Sequence, residues 1–286
     1  MTQDSNVRPI IIEGKQWFTA GGEHSTRFMY NEIFKHEIYT HHLCQVEKGD
    51  IVIDIGANVG FFTTQAIQKG AKGVFAFEPD PSTFRALQHN CKDTHHSELI
   101  QQALANRNGE VIFHSFNKRK GSCTIMDERA STIKDYSVSY PIKTRTLDST
   151  FKLNDNSVKS LFIKIDTEGA EELIIEGGRQ IIKRYIPKVA IASYHLPNES
   201  QRLIKLFNEI DSRYVHTITI TPDGEEVTFF WVPPLFKRLK VEPLVDHLEE
   251  QRQAIKKAEL ALMYGGFHPL ENLKDIRTQL QGGAFV

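Results

Sequence analysis

The chain has 286 residues, 35 Lys+Arg against 36 Asp+Glu, and a formal net charge of −1. That length suits one large α/β domain with extensions. The balance of charge gives no electrostatic argument for nucleic acid or an anionic membrane surface. No basic-then-apolar leader or run of 18 apolar residues argues for membrane insertion. Three scattered cysteines, Cys44, Cys91 and Cys123, form no CxxC pair and predict a reducing, cytoplasmic setting.

Residues 1–48 read as a cap before the first buried strand. Within them, Pro9–Phe18 followed by Gly21-Gly22 predicts a short strand and turn, and Arg27–Val46 reads as helical. His24, His36, His41 and His42 lie here without the spacing that a metal site wants.

Lys48–Thr64, KGDIVIDIGANVGFFTT, then passes from an apolar β-branched run through a glycine turn into a helix start. That order builds a nucleotide-binding corner at the carboxyl end of a strand. Glycine lets the backbone approach a ligand where a Cβ would collide. The dinucleotide pattern Gly-x-Gly-x-x-Gly fails, because Asn58 and Phe61 occupy its second and third glycine positions. Asp54 and Asn58 set polar groups beside the glycines in an apolar region, which favours a ligand over a bare turn.

Gly73–Phe77 is a second buried strand, ending in Glu78-Pro79. Glu78 follows Gly56 by 22 positions (78 − 56), near the ~20 expected of a ribose-binding acid. Asp80 is better placed as the cap of a helix over Pro81–Asn90. Ser97–Leu104 reads as a third strand. Glu110–Phe116 and Tyr140–Leu147 suggest an antiparallel insertion spanning about 106–147.

Leu161–Ile165 is a fourth buried strand, followed at once by Asp166-Thr-Glu168-Gly-Ala-Glu171. A strand places Lys164, Asp166 and Glu168 on one side, and three charges there argue for function. Glu171 and Glu172 read as first-turn acids that complement a helix dipole. Lys188–His195 is the fifth strand, with His195 beside the ends carrying Asp54 and Asp166. Pro197–Ile210 reads as a helix. Tyr214–Ile220 and Val227–Val232 form a hairpin around Pro222-Asp223-Gly224. Val245–Met263 reads as a charged helix with roughly heptad apolar spacing, able to pack on the core or to form a dimer contact.

The spacing Asp54-x-Gly56-x-x-x-Gly60 resembles motif I of class I S-adenosylmethionine (SAM) methyltransferases. Together, VIDIGANVGFFT (52–63), FAFEPDP (75–81) and FIKIDTEGAEELIIEGG (162–178) resemble the FkbM-type SAM-dependent methyltransferases. The resemblance implies an α/β Rossmann-like class I fold, mostly parallel with a terminal antiparallel hairpin. It implies a methyltransferase domain over 49–233, preceded by the cap and followed by a helical extension over 234–286. SAM is the implied cofactor. Asp54, Gly56, Asn58, Gly60, Glu78, Pro79 and Ala103 would hold it, with Glu78 on the ribose and Ala103 on the adenine. The implied acceptor is a hydroxyl on a sugar, glycan or secondary metabolite.

His195 is the first choice of base and Asp166 the second, with Lys164 and Glu168 holding the acceptor or tuning these groups. Glu32 or Glu37 of the cap would face the site. No resident metal is expected, with Mg²⁺ between acid and histidine as the alternative. The competing readings are N-methylation of a peptide side chain and a SAM-binding scaffold without catalysis. Where the family often has an acid two residues before the histidine, this chain has Ser193, so no role for that acid carries over.

Overall fold

A computed structural model describes residues 7–94, 96–116, 123–133, 137–150 and 158–237. The chain divides into two units, Met1–Pro233 and Pro234–Val286. In the second, a helical turn over Pro234–Lys237 is described. The helix expected over Val245–Met263, with its dimer contact, lies outside the described residues.

The first unit opens with a hairpin of β1 (Arg8–Ile12) and β2 (Lys15–Thr19). Its turn is at Glu13-Gly14, both left-handed, and not at Gly21-Gly22 as expected. Gly22 instead caps α1 (Glu23–Phe34). The longer helix expected over Arg27–Val46 stops here. Its apolar positions have no steady 3.6-residue spacing, and Glu37 takes a left-handed φ of 48°. Residues 35–46 therefore fold back as turns. Trp17, Tyr30, Phe34 and Phe61 cluster, with Trp17 edge-on to Phe61 at 4.9 Å between centroids. Such pairs add ~0.5–1.5 kcal/mol each beyond area burial. The cluster fixes the cap against α2 (Phe61–Gln68).

The central sheet has seven strands among the described residues. Five run parallel: β3 (Ile51–Ile55), β4 (Gly73–Phe77), β5 (Ser97–Ile100), β9 (Leu161–Ile165) and β10 (Lys188–Ala192). They read IVIDI, GVFAF, SELI, LFIKI and KVAIA. The central ones are apolar on both faces, as covered parallel strands must be. β11 (Val215–Ile220) and β12 (Glu226–Trp231) add the expected antiparallel hairpin, giving the order β11-β12-β10-β9-β3-β4-β5. Helices α3 (Pro81–Asn90), α6 (Glu171–Gly177), α7 (Arg179–Tyr185) and α8 (Glu199–Ile210) link the strands. The switch in strand order falls between β3 and β9, so the carboxyl ends of these two strands open onto the crevice.

The insertion forms a separate sheet in the order β6-β8-β7, from β6 (Ala103–Leu104), β7 (Gly109–Phe116) and β8 (Ser137–Arg145). Ser97–Leu104 is thus two strands, not one. It breaks at Gln101-Gln102, and its halves join different sheets. Two short helices, α4 (Asp127–Thr132) and α5 (Leu147–Thr150), flank β8. Among the described residues no helix is long and apolar enough to cross a membrane.

Candidate active site

The glycine turn after β3 is positioned by its neighbours. Gly56 N and Ala57 N both donate to Phe77 O, at 3.0 and 2.9 Å. Asp166 N donates to Ile55 O at 3.0 Å, drawing the end of β9 against the turn. Above it lies a cavity that is partly open to solvent. Gly56, Asn58, Glu78, Pro79 and Ala103 all line it. Glu78 is held by backbone, with Oε2 accepting from Asn58 N (3.0 Å) and Oε1 from Asp80 N (2.9 Å). Burial raises its carboxyl to about 8 against the lowering effect of those two bonds. Ala103, Leu104, Phe113 and Ile125 add apolar lining. A fixed acid and apolar side chains thus line one cavity.

Two of the expected cofactor residues lie elsewhere. Asp54 is wholly buried beneath the turn. It accepts from Thr63 Oγ1 at 2.6 Å and faces Lys164 Nζ at 3.3 Å. Gly60 caps α2 with φ +90°, where an added Cβ would stand 2.6 Å from Leu87 Cδ1. Both support the corner without lining the cavity.

Lys164 is also drawn under the turn. Its Nζ donates to Gly56 O at 2.7 Å and lies 4.0 Å from Asp166 Oδ2. The expected strand alternation from Lys164 to Glu168 does not occur. β9 ends at Ile165, and Glu168 takes a left-handed φ of 58°. A turn rather than a strand face brings the acids together. His195 likewise lies three residues beyond the end of β10. Its Nε2 is 3.6 Å from both Asp166 Oδ1 and Glu168 Oε2, too far for hydrogen bonds. It is buried without a hydrogen-bond partner.

Sequence reasoning missed the groups that hold this ring. Glu171, read as a dipole complement, is fully buried and faces His195 Nδ1 at 3.1 Å. An ionised carboxylate only accepts, so Nδ1 carries the proton. Glu171 Oε1 also accepts from Thr167 N at 2.8 Å. Glu199 Oε2 accepts from His195 N at 2.9 Å. The remaining oxygens, Glu171 Oε2 and Glu199 Oε1, are buried without another donor. One proton held by Glu199 and donated to Glu171 satisfies both. Burial raises Glu199 to about 8, and Glu171 pushes the same way. Burial opposes the charge on Glu171, but His195 outweighs it and lowers that carboxyl to about 2. Tyr39 from the cap donates its hydroxyl to Asp166 Oδ2 at 2.9 Å, and Arg129 of α4 donates to Glu168 at 3.0 and 2.7 Å.

Asp166, Glu171 and His195 each offer a ligand atom within 4.8 Å of the others. The Glu171 and His195 atoms that face one another are joined by a hydrogen bond, while His195 Nε2 and Glu171 Oε2 have no partner. Glu32 is buried near Asp166. Glu37 is paired with Lys69 at 3.2 Å on the outside. Ser193 bonds Thr228 at 2.8 Å within the sheet.

The switch-point cavity, the glycine corner and the acid after β4 define a class I methyltransferase fold. A family model described as the methyltransferase FkbM domain matches residues 54–216, and the chain belongs to that family. The chain is 42% identical over 65 residues to 31-O-demethyl-FK506 methyltransferase FkbM of Streptomyces tacrolimicus, covering 22% of this chain and 25% of that protein. It is 28% identical over 152 residues to 2-O-methyltransferase NoeI of Sinorhizobium fredii, covering 49% and 62%. Hexuronic acid methyltransferase AglP of Haloferax volcanii is 25% identical over 167 residues, covering 58% and 64%. Each match thus spans less than two thirds of the relative. The crystal structure of methyltransferase FkbM from Methylobacillus flagellatus shares the fold, with TM-score 0.51 and 19% identity over 71% of this chain and 47% of the other.

Proposed function

We propose that this protein transfers a methyl group from SAM to a hydroxyl of a sugar, glycan or secondary metabolite. The observation that carries this reading is His195, with Nδ1 held by buried Glu171 and Nε2 unpartnered near the cavity wall. Two relatives whose names specify O-methylation support it. The cofactor supplies an electrophilic sulfonium methyl and a neutral leaving group. Of the cavity-lining residues, Gly56 and Asn58 would hold the methionine and ribose side, Glu78 would accept from the ribose hydroxyls, and Ala103 would back the adenine. Since nothing that departs needs an acid, the remaining work is to orient and deprotonate the acceptor. His195 Nε2 takes the hydroxyl proton while Glu171 keeps Nδ1–H in place. Asp166 and Glu168 flank that nitrogen and orient the acceptor.

Replacing Glu78 with alanine is expected to weaken SAM binding by ~1–3 kcal/mol through lost charge-assisted hydrogen bonds. Calorimetry checks this, and unchanged affinity would remove Glu78 from the ribose.

The charge on His195 gives a pH dependence. Burial opposes the imidazolium, but Glu171, Glu168 and Asp166 outweigh it and raise His195 to about 10. Glu199 behind it and Glu225 beyond Tyr194 complete the acids around the ring, while Arg129 offsets Glu168. A base works only when neutral, so kcat/KM should climb with pH towards that value. A cofactor sulfonium in the neighbouring cavity would disfavour a second positive charge and bring the limb of kcat lower. Glu171→Gln keeps an acceptor for Nδ1–H but removes the charge, so both limbs should move to lower pH. Limbs that stay in place would assign the base to Asp166.

The reading is tested by transfer of labelled methyl from SAM into host lysate, fractionated into protein, glycan and small molecules, with and without a chelator. Label in glycan or small molecules, surviving chelation, is expected. Loss on chelation would favour the Mg²⁺ alternative. Label confined to protein would favour N-methylation of side chains, and SAM binding without any label would favour a scaffold.

A further inference from the structure

Every hydrogen bond that Glu168 receives among the described residues comes from the insertion. Thr124 Oγ1 donates to Glu168 O at 2.7 Å. Arg129 Nε and Nη2 both donate to Glu168 Oε2, at 3.0 and 2.7 Å. The turn depends on that hold. Glu168 is a non-glycine residue at a left-handed φ of 58°, a conformation that costs ~1–2 kcal/mol and persists only where the surroundings fix it. Gly169 follows at φ +106°, and a Cβ built there would stand 3.5–3.6 Å from Met126 Cγ, Arg129 Cβ and Leu196 Cγ. The first turn of α4 and the residue after His195 therefore meet at this glycine.

The oxygen held in this way belongs to the site and not to the surface. Glu168 lines the cofactor cavity, and its side chain is 14% exposed. Its Oε2 lies 3.6 Å from His195 Nε2, which is buried without a hydrogen-bond partner. A buried carboxyl so placed has two ways to lower its energy. It can take a proton and donate it to Nε2, or it can draw an imidazolium onto itself. Either one engages the nitrogen that the acceptor hydroxyl needs. Two N–H groups of a permanently charged guanidinium oppose both, because they favour the ionised carboxylate and occupy its oxygen.

We propose that Arg129 is a positioning residue for methyl transfer: acting through Glu168, it holds that carboxylate off His195 Nε2 and leaves the nitrogen open to the acceptor hydroxyl. This rests on the methyl-transfer reading above. One short segment of the insertion then serves both halves of the site. Cys123, Thr124 and Ile125 line the cofactor cavity, and Arg129 sets the acid beside the base. The segment has ties of its own. Thr124 pairs with His114 through backbone bonds of 2.8 and 3.1 Å, and His114 Nε2 meets Asp127 Oδ1 at 2.8 Å. Removing the guanidinium therefore leaves the cofactor wall in place.

The test uses the full chain, labelled SAM and host lysate, with SAM affinity read by calorimetry. Arg129→Ala is expected to lower label transfer at saturating SAM roughly 10–100-fold, the scale of a misplaced group near reacting atoms, with SAM affinity and the thermal melt little changed. Guanidinium chloride at a non-denaturing concentration should restore part of the rate, because the Arg129 side chain is 24% exposed and the space it leaves is reached from solvent. Arg129→Lys keeps the charge but not the fork and should fall between. In a Glu168→Ala background, itself slower, the same loss of Arg129 should cost little, since it acts through that carboxylate. An unchanged rate in Arg129→Ala overturns the proposal. So does an equal loss in both backgrounds. A rate, SAM affinity and melting temperature that fall together without rescue would make Arg129 a staple for α4 and overturn it too. No label transfer by the unaltered chain overturns the methyl-transfer reading, and this proposal with it.

Discussion

Replacing His195 with alanine is expected to lower turnover by ~10²–10⁴, the usual contribution of a positioned general base, with SAM affinity near wild type. His195 does not line the cofactor cavity, so the cofactor loses no contact. The acceptor hydroxyl loses its proton acceptor, since Asp166 Oδ2 is already bonded by Tyr39. The variant also strips the imidazolium from a nest of acids, and breaking a buried ion pair costs ~3–5 kcal/mol. Part of that cost falls away if Glu171 binds a proton instead. A cooperative thermal melt should therefore accompany the kinetics, with His195→Gln as a second variant that keeps bulk and polarity. Loss of turnover in a folded, SAM-binding variant assigns the base. A near-wild-type rate in both would pass that role to Asp166.

The strand-end residues that line or frame the cavity were legible because their signals are local. Gly56, Glu78 and Asp80 each act within a few residues of a strand end, where the pattern of apolar run, turn and helix fixes position. Asp80 caps α3 as expected, accepting from Thr83 N at 3.0 Å. The burial of Asp54 could not be read because its partner is remote in sequence. The β3–β9 register sets it opposite Lys164, and an acid and a lysine facing each other on buried strands pair before either can reach a ligand. Glu171 shows the same limit. First-turn acids look alike in sequence whether they serve a helix dipole or a histidine 24 positions away. Glu199, four residues after His195, was within reach of a local reading, because a loop followed by a first-turn acid is a common way to satisfy loop N–H groups. Tyr39 was hidden by the helix expected over Arg27–Val46, since a continued helix would not have folded back to Asp166.

Gly56→Ala is expected to destabilise the domain by ~3–5 kcal/mol, combining left-handed strain with overpacking against backbone, and to abolish SAM binding. At φ +75° the new Cβ would lie 1.8 Å from Asp166 O and 2.8 Å from its carbonyl carbon. Neither atom can move freely, because Asp166 N is bonded to Ile55 O and the two strands are paired along their length. The chain would have to part β3 from β9 at the switch point. That shift would disturb the Lys164 bond to Gly56 O and carry Asp166 away from Tyr39 and His195. Gly49→Ala separates strain from collision, because Gly49 has φ +92° with nothing within 4 Å of an added Cβ. It should cost only ~1–2 kcal/mol and leave SAM affinity unchanged. Denaturant melts and calorimetry on the pair would distinguish the two effects. If Gly56→Ala were no worse than Gly49→Ala and still bound SAM, the close approach of β9 to the turn would not be what shapes the cofactor seat. A large gap between the variants would mean that cofactor seat and acceptor acids are set by one contact, Gly56 against Asp166.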